Sequence, residues 1–273
     1  MIGATFLHCN RRMNDAVCGK LLLIRMTMWK SQSVQLVWFL SSVENVRASK
    51  VFEELTGSEP LSYQSNRVPN PTNPFLGVAN GPHEGFEFSV QIQPGRMDLV
   101  LTPTMEGQEN VEGLLLVETE KAVRTAVAAA ANVGDISPVR LALIINLFEP
   151  SESLSVSRAL IEERIGFSPN IGEYSDLVFQ INRRKQLASP EIEINRLLRY
   201  GSITLQTFSV SFQPGGVPSP VTIAQFGASL MVDINTIIDG RTFSKADTDT
   251  IFSQIAGEAL RIAASGTTGS LES

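Results

Sequence analysis

The stretch Val139-Arg140-Leu141-Ala142-Leu143-Ile144-Ile145-Asn146-Leu147-Phe148 constrains this chain more than any other. Its middle, Ala142 to Ile145, is apolar at every position, the pattern of a central strand covered on both faces. An alanine-rich amphipathic stretch precedes it. The pattern predicts a helix starting between Gly107 and Asn110, running to Asn132 and stopped by Gly134. Leu115, Ala122, Ala126 and Ala129, beside Leu116, Val123, Val127 and Ala130, give that helix a broad face of small side chains. Such a face lets it lie close to a sheet or to another helix.

Other elements are placed around this unit. Val34–Leu40 is rich in β-branched and aromatic residues and reads as a strand. Ser41 and Ser42 then offer caps for a helix carrying Val43, Val46, Val51, Phe52 and Leu55 on one face, ended by Gly57 and Pro60. The crowd of prolines and asparagines between 57 and 83 predicts a long loop. Phe86, Phe88, Val90 and Ile92 alternate with polar residues, and Pro94-Gly95 leads into Arg96–Thr102, which predicts a hairpin.

Downstream, a helix is expected over Ser151–Arg164, a strand over Asp176–Asn182 and a helical turn around Ile194–Tyr200. Strands at Ile203–Phe212 and Ser229–Thr236 follow, with a proline- and glycine-rich loop at 214–220 between them. A last helix opens at Ser244 with Asp247 in capping-box position and ends at Gly266.

The order from 34 to 148 is β-α-β-β-α-β. It resembles the ferredoxin-like, split βαβ topology, in which a four-stranded antiparallel sheet carries two helices on one face. The expected class is therefore α+β, with antiparallel sheets and helices packed on one face, and a further α+β unit in the second half. The expected division is an N-terminal arm at 1–33, a ferredoxin-like domain at 34–150, a second domain at 151–266 and a flexible tail at 267–273. Residues 1–25 lack periodicity and precede Met26 and Met28, so they read as a flexible arm or as sequence upstream of the native start.

Composition excludes several kinds of function. With 22 basic and 28 acidic residues the net charge is -6, which disfavours general attraction to nucleic acid or anionic membrane. No apolar run approaches the roughly 20 residues that span a bilayer. The two cysteines, Cys9 and Cys18, fit neither a zinc knuckle nor a disulfide framework, which points to reduced thiols in the cytoplasm.

Only His8, in the doubtful N-terminal segment, and His83, in a Gly81-Pro82-His83-Glu84-Gly85 turn, are present, which nearly excludes a catalytic triad or a multi-histidine metal centre. No phosphate-binding, dinucleotide-binding or zinc-protease motif occurs. Asp233, Asn235 and Asp239 do not keep calcium-loop spacing and read as a polar strand face and turn. Gly85-Phe86-Glu87-Phe88-Ser89-Val90 resembles the aromatic strand of RNA-recognition domains. It lacks the leading basic residue, contains Glu87, and lies on the second strand where that family uses the third.

One cluster has chemical pull. Arg183, Arg184 and Lys185 are followed about a dozen residues later by Arg196, Arg199 and Tyr200. If the chain folds back there, five cations beside a tyrosine could hold a phosphate, a carboxylate or a nucleic-acid backbone. Acids in the same segment, Glu191 and Glu193, offer the plainer pairing. The reading that results is a soluble, cytoplasmic, non-enzymatic protein without cofactor or metal. It would act through a protein partner or by self-association. The alternative is nucleic-acid or anionic-ligand binding through residues 183–199.

Overall fold

The computed structural model describes residues 29–70, 72–104, 110–111, 114–168, 176–211 and 219–272. The residues of the expected N-terminal arm before Trp29 lie outside that set, as do 105–109, 112–113 and most of the 214–220 loop.

Eleven strands and four α-helices alternate along the described chain. In order they are β1 (Lys30–Leu40), α1 (Ala48–Thr56), β2 (Ser62–Ser65), β3 (Gly77–His83), β4 (Phe86–Gln93) and β5 (Arg96–Pro103). Next come the short β6 (Asn110–Val111) and β7 (Leu114–Leu115), then α2 (Thr119–Ala130), β8 (Pro138–Ser151) and α3 (Leu154–Ile165). The chain closes with β9 (Val178–Ala188), β10 (Glu191–Ser211), β11 (Ser219–Thr236), α4 (Lys245–Ser265) and a 3₁₀ turn at Thr268–Glu272.

Nine of the strands form a single sheet in the order β2-β3-β4-β5-β1-β8-β11-β10-β9, and every pairing in it is antiparallel. The class is α+β. Strands from both halves belong to this one sheet, with β8 pairing β1 on one side and β11 on the other.

Alternation decides which side chains meet. Trp38 lies between Met97 of β5 and Leu141 of β8, and Leu36 between Leu99 and Leu143. These residues join Phe86, Phe88, Leu198, Tyr200, Leu230 and Val232 in one core with Phe52 of α1, Val123 of α2, Ile161 of α3 and Ile255 of α4. All four helices thus pack on the same face of the sheet. Trp38 and the ring of Phe252 meet edge to face at 4.9 Å. Helix α2 presents Ala122, Ala126, Ala129 and Ala130, small enough to let it lie against β1 and α4 together.

Several elements differ from the sequence reading. Helix α1 begins at Ala48, with Arg47 at the N-cap and no side-chain cap, so Ser41 and Ser42 do not start it. The expected loop at 57–83 contains β2 and β3. Gly77, Ala79 and Gly81 are the inward residues of β3, and a methyl group at Gly81 would lie 3.0 Å from the Phe52 ring. A strand so close under α1 has to be built from small residues, which gives it the composition of a loop.

The expected long helix before Gly134 is only Thr119–Ala130, because Val117 is bridged to Ser31 instead. The expected turn at Ile194–Tyr200 is the first half of β10, where Ile192, Ile194, Leu198 and Tyr200 all point inward. Arg196 occupies the remaining inward position, and its charge hid the period of two. The expected frayed tail is a 3₁₀ turn whose Leu271 is fully buried.

The central strand β8 also departs from expectation. Leu141, Leu143, Ile145 and Leu147 face the helices. Its other face carries no helix among the described residues. Ala142 is nevertheless buried there, closed in by its neighbours within the sheet.

Candidate functional site

The basic cluster is dispersed by the register of β9 and β10. Arg183 pairs opposite Arg196, Arg184 opposite Asn195, and Lys185 opposite Ile194. Arg196, 3% exposed, points beneath α4. Its Nη1 donates to Glu258 Oε1 at 2.7 Å and its Nη2 to the carbonyl of Leu271 at 2.8 Å. Lys185 Nζ donates to the same carboxylate at 3.1 Å, and Arg261 does so from the next turn of α4. Burial alone would raise the pKa of Glu258, but hydrogen bonds from Arg261, Arg196 and Lys185 outweigh it and hold the carboxyl at about 2.

The remaining members point elsewhere. Arg184 pairs with Glu193 on the opposite face of the sheet, at 3.1 Å. Tyr200 is buried with its hydroxyl donating to the carbonyl of Gly266 at 3.3 Å, and burial pushes its pKa upward. Arg199 is exposed on the face away from the helices, where it borders a cleft of about 300 Å³ with Asn146, Ser229 and Met231. The six residues therefore do not converge on one site. Strand β9, with Arg183, Arg184 and Lys185, is an edge of the sheet, and clustered cations are a common device for keeping an edge from pairing with another chain.

The structure assembles a different constellation on the helix-free face. In one cross-strand row, Arg96 of β5, Phe39 of β1 and Arg140 of β8 stand side by side. The two guanidinium carbons lie 5.4 and 5.0 Å from the centre of the Phe39 ring. The next row runs Asp98, Val37, Ala142, Asn235, Asn195 and Arg184 across five neighbouring pairings.

Hydrogen bonds join these rows. Arg140 Nη2 donates to Asn235 Oδ1 at 2.7 Å, and Asn195 Nδ2 donates to the same oxygen at 2.9 Å. Asn235 Nδ2 in turn donates to Asp233 Oδ1 at 2.8 Å, and Asn182 Nδ2 to Asn195 Oδ1 at 3.2 Å. At the other end, Asp98 is only 1% exposed. Both of its oxygens accept from Arg96 Nε, at 2.8 and 2.9 Å. Burial raises its pKa against the pull of Arg96 and of Gln35. Arg140 Nε is buried without a hydrogen-bond partner, a donor left over in the middle of the face.

Chemically, this surface offers two guanidinium groups stacked on an aromatic ring, while the buried Asp98 and Asn235 beneath them accept their hydrogen bonds and orient them. It can bind planar, acidic or hydrogen-bonding groups. Among the described residues it holds no histidine or thiol, and His83 lies at the far end of β3 with its ring against Phe88. Among the described residues no group of three His, Cys, Asp or Glu side chains is placed to hold a metal ion. No helix among them is long and apolar enough to cross a membrane.

This face is not legible in the sequence because its members come from six strands and adjoin only through register. One signal was available: Arg140 is the single charged residue in the apolar run Val139–Phe148. No known protein family, curated protein or solved structure matches the chain.

Proposed function

We propose that this chain works by binding a protein partner through the helix-free face of its sheet, without catalysis. The observation that carries the reading is the Arg96–Phe39–Arg140 stack. Aromatic and arginine side chains dominate the energetic centres of protein interfaces. The partner would present carboxylates or carbonyls to the two guanidinium groups. The reading places the chain in the cytoplasm, with a split βαβ unit (β4-β5-β1-β8 with α1 and α2) as its first half and β8 as the boundary with the second. The pairings of β1 with both β5 and β8 support that division.

The test is retention of a defined protein by immobilised wild-type chain and by an F39A/R140A variant of equal thermal stability. Loss of that protein from the variant is expected. Equal retention by both, or retention of nothing by either, overturns the reading.

A second reading, anion or nucleic-acid binding, draws on Arg199, which has no hydrogen bond or ion pair among the described residues and borders the 300 Å³ cleft. It requires binding to a polyanion that weakens with salt and is lost in R199A.

A further inference from the structure

The two edges of the nine-stranded sheet are built differently. Edge β9 carries three consecutive cations, whereas edge β2 reads Ser62-Tyr63-Gln64-Ser65, uncharged and exposed at every position. Leu61 (81% exposed), Tyr63 (47%) and Val68 (77%) are large apolar residues left at this edge. An unguarded edge strand presents a row of unpaired N–H and C=O groups, and the partner such a row accepts is another strand.

We infer that a second copy of this chain pairs with β2, antiparallel and edge to edge, about a two-fold axis at Tyr63. The register follows from hydrogen bonding and from symmetry. Asn66 N donates to Leu76 O of the strand leading into β3, so the even-numbered residues of β2 turn their backbone groups inward. Leu61, Tyr63 and Ser65 turn theirs outward. In an antiparallel pair the two-fold axis is perpendicular to the sheet, and residues directly opposite each other share a face. Setting Tyr63 against its own symmetry mate satisfies both conditions. Leu61 then exchanges hydrogen bonds with Ser65 of the other copy, giving about six new backbone bonds in all.

Charge selects the same arrangement. Beyond the ends of β2, past the bends at Leu61 and Arg67, this register leaves Glu59 of each copy at the same end of the paired strands as Arg67 of the other. Both are exposed, and neither has a hydrogen bond or ion pair among the described residues. Opposite charges share each end of the paired strands, and the two Tyr63 side chains form a cross-strand pair. The occupant is thus self-complementary in backbone, charge and apolar contact. The inference deepens the contact reading by adding self-association, yet it uses a surface remote from the Phe39 face.

The test is sedimentation of the full-length chain over a concentration series. Wild type is expected to dimerise, R67E to weaken the dimer at least tenfold, and the charge-swapped E59R/R67E to recover most of that loss. With Cys9 and Cys18 replaced by serine, Y63C is expected to give a covalent dimer on mild oxidation, since directly opposed positions in such a pair fall within disulfide reach. A monomer at every concentration, or a dimer that R67E and Y63C leave unchanged, overturns the inference. F39A/R140A serves as the control: loss of the partner there with the dimer intact separates the two surfaces.

Discussion

Glu258 offers the most exacting test of how the second half is held together. Its carboxylate is almost fully buried and is the anion shared by Arg196, Lys185 and Arg261. It therefore ties the edge strand β9 and its neighbour β10 to α4. Replacing it in E258Q keeps the shape and removes the charge that the buried Arg196 shares with Lys185 and Arg261. Breaking one partner of a buried pair costs about 3–5 kcal/mol. The depressed pKa leads to a similar figure. A folded-state value of about 2 against an ordinary 4.5 corresponds to about 3 kcal/mol of stability at neutral pH.

The sign fixes the pH window. A carboxyl whose pKa is lowered by folding contributes fully above its unfolded value and loses that contribution as pH falls through the folded one. The wild-type protein should therefore lose this stabilisation between about pH 4.5 and pH 2, with the variant insensitive to it. Urea denaturation at pH 7 should place E258Q about 3 kcal/mol below wild type, and at pH 3 the gap should be about 2 kcal/mol narrower. A gap under about 1 kcal/mol at pH 7, or one of the same size at both pH values, refutes the argument.

Two further outcomes follow from the same reasoning. Deleting residues 267–273 removes the buried Leu271 and the carbonyl that Arg196 Nη2 uses, so thermal denaturation should show a loss of about 2–5 kcal/mol; an unchanged midpoint would mean the segment is a frayed tail after all. At Asp98, burial raises the pKa, so the ionised carboxylate opposes folding at neutral pH and the penalty fades as pH falls. D98N should accordingly be more stable than wild type at pH 7 and lose that advantage in acid, and a variant that is less stable at pH 7 would show that the Arg96 pair outweighs the cost of burial.

What could be read from the sequence was periodicity and punctuation. Phe86, Phe88, Val90 and Ile92 spelled out an inward face, and each is fully buried. Ser244 and Asp247 announced a capping box, and both of its hydrogen bonds form. Gly57 and Gly266 marked helix ends, and both adopt the left-handed conformation.

What failed did so where a tertiary demand overrode local preference. Gly77 and Gly81 look like loop residues until α1 is placed over them, and Arg196 looks like a surface charge until Glu258 arrives from 62 residues further on. The basic cluster was visible as composition, but its division between two faces of the sheet is a consequence of strand pairing. The helix-free face was invisible for the same reason: Arg140 and Asn235, its closest partners, are 95 residues apart.

That separation has a functional consequence. Phe39, Arg96 and Asp98 belong to the first half, Asn195 and Asn235 to the second, and Arg140 to β8, which pairs with both. The face exists only while β1 and β11 are both zipped to β8, so neither half can display it alone. A ligand bound across the face must then stabilise the whole sheet, by about 2.7 kcal/mol at a free concentration one hundred times its Kd. A partner bound at the β2 edge reaches the second half only through three intervening strands and β1. Hydrogen exchange separates the two cases. Occupying the face should slow exchange in β1, β8 and β11 together, whereas dimerisation at β2 should protect chiefly β2 and β3.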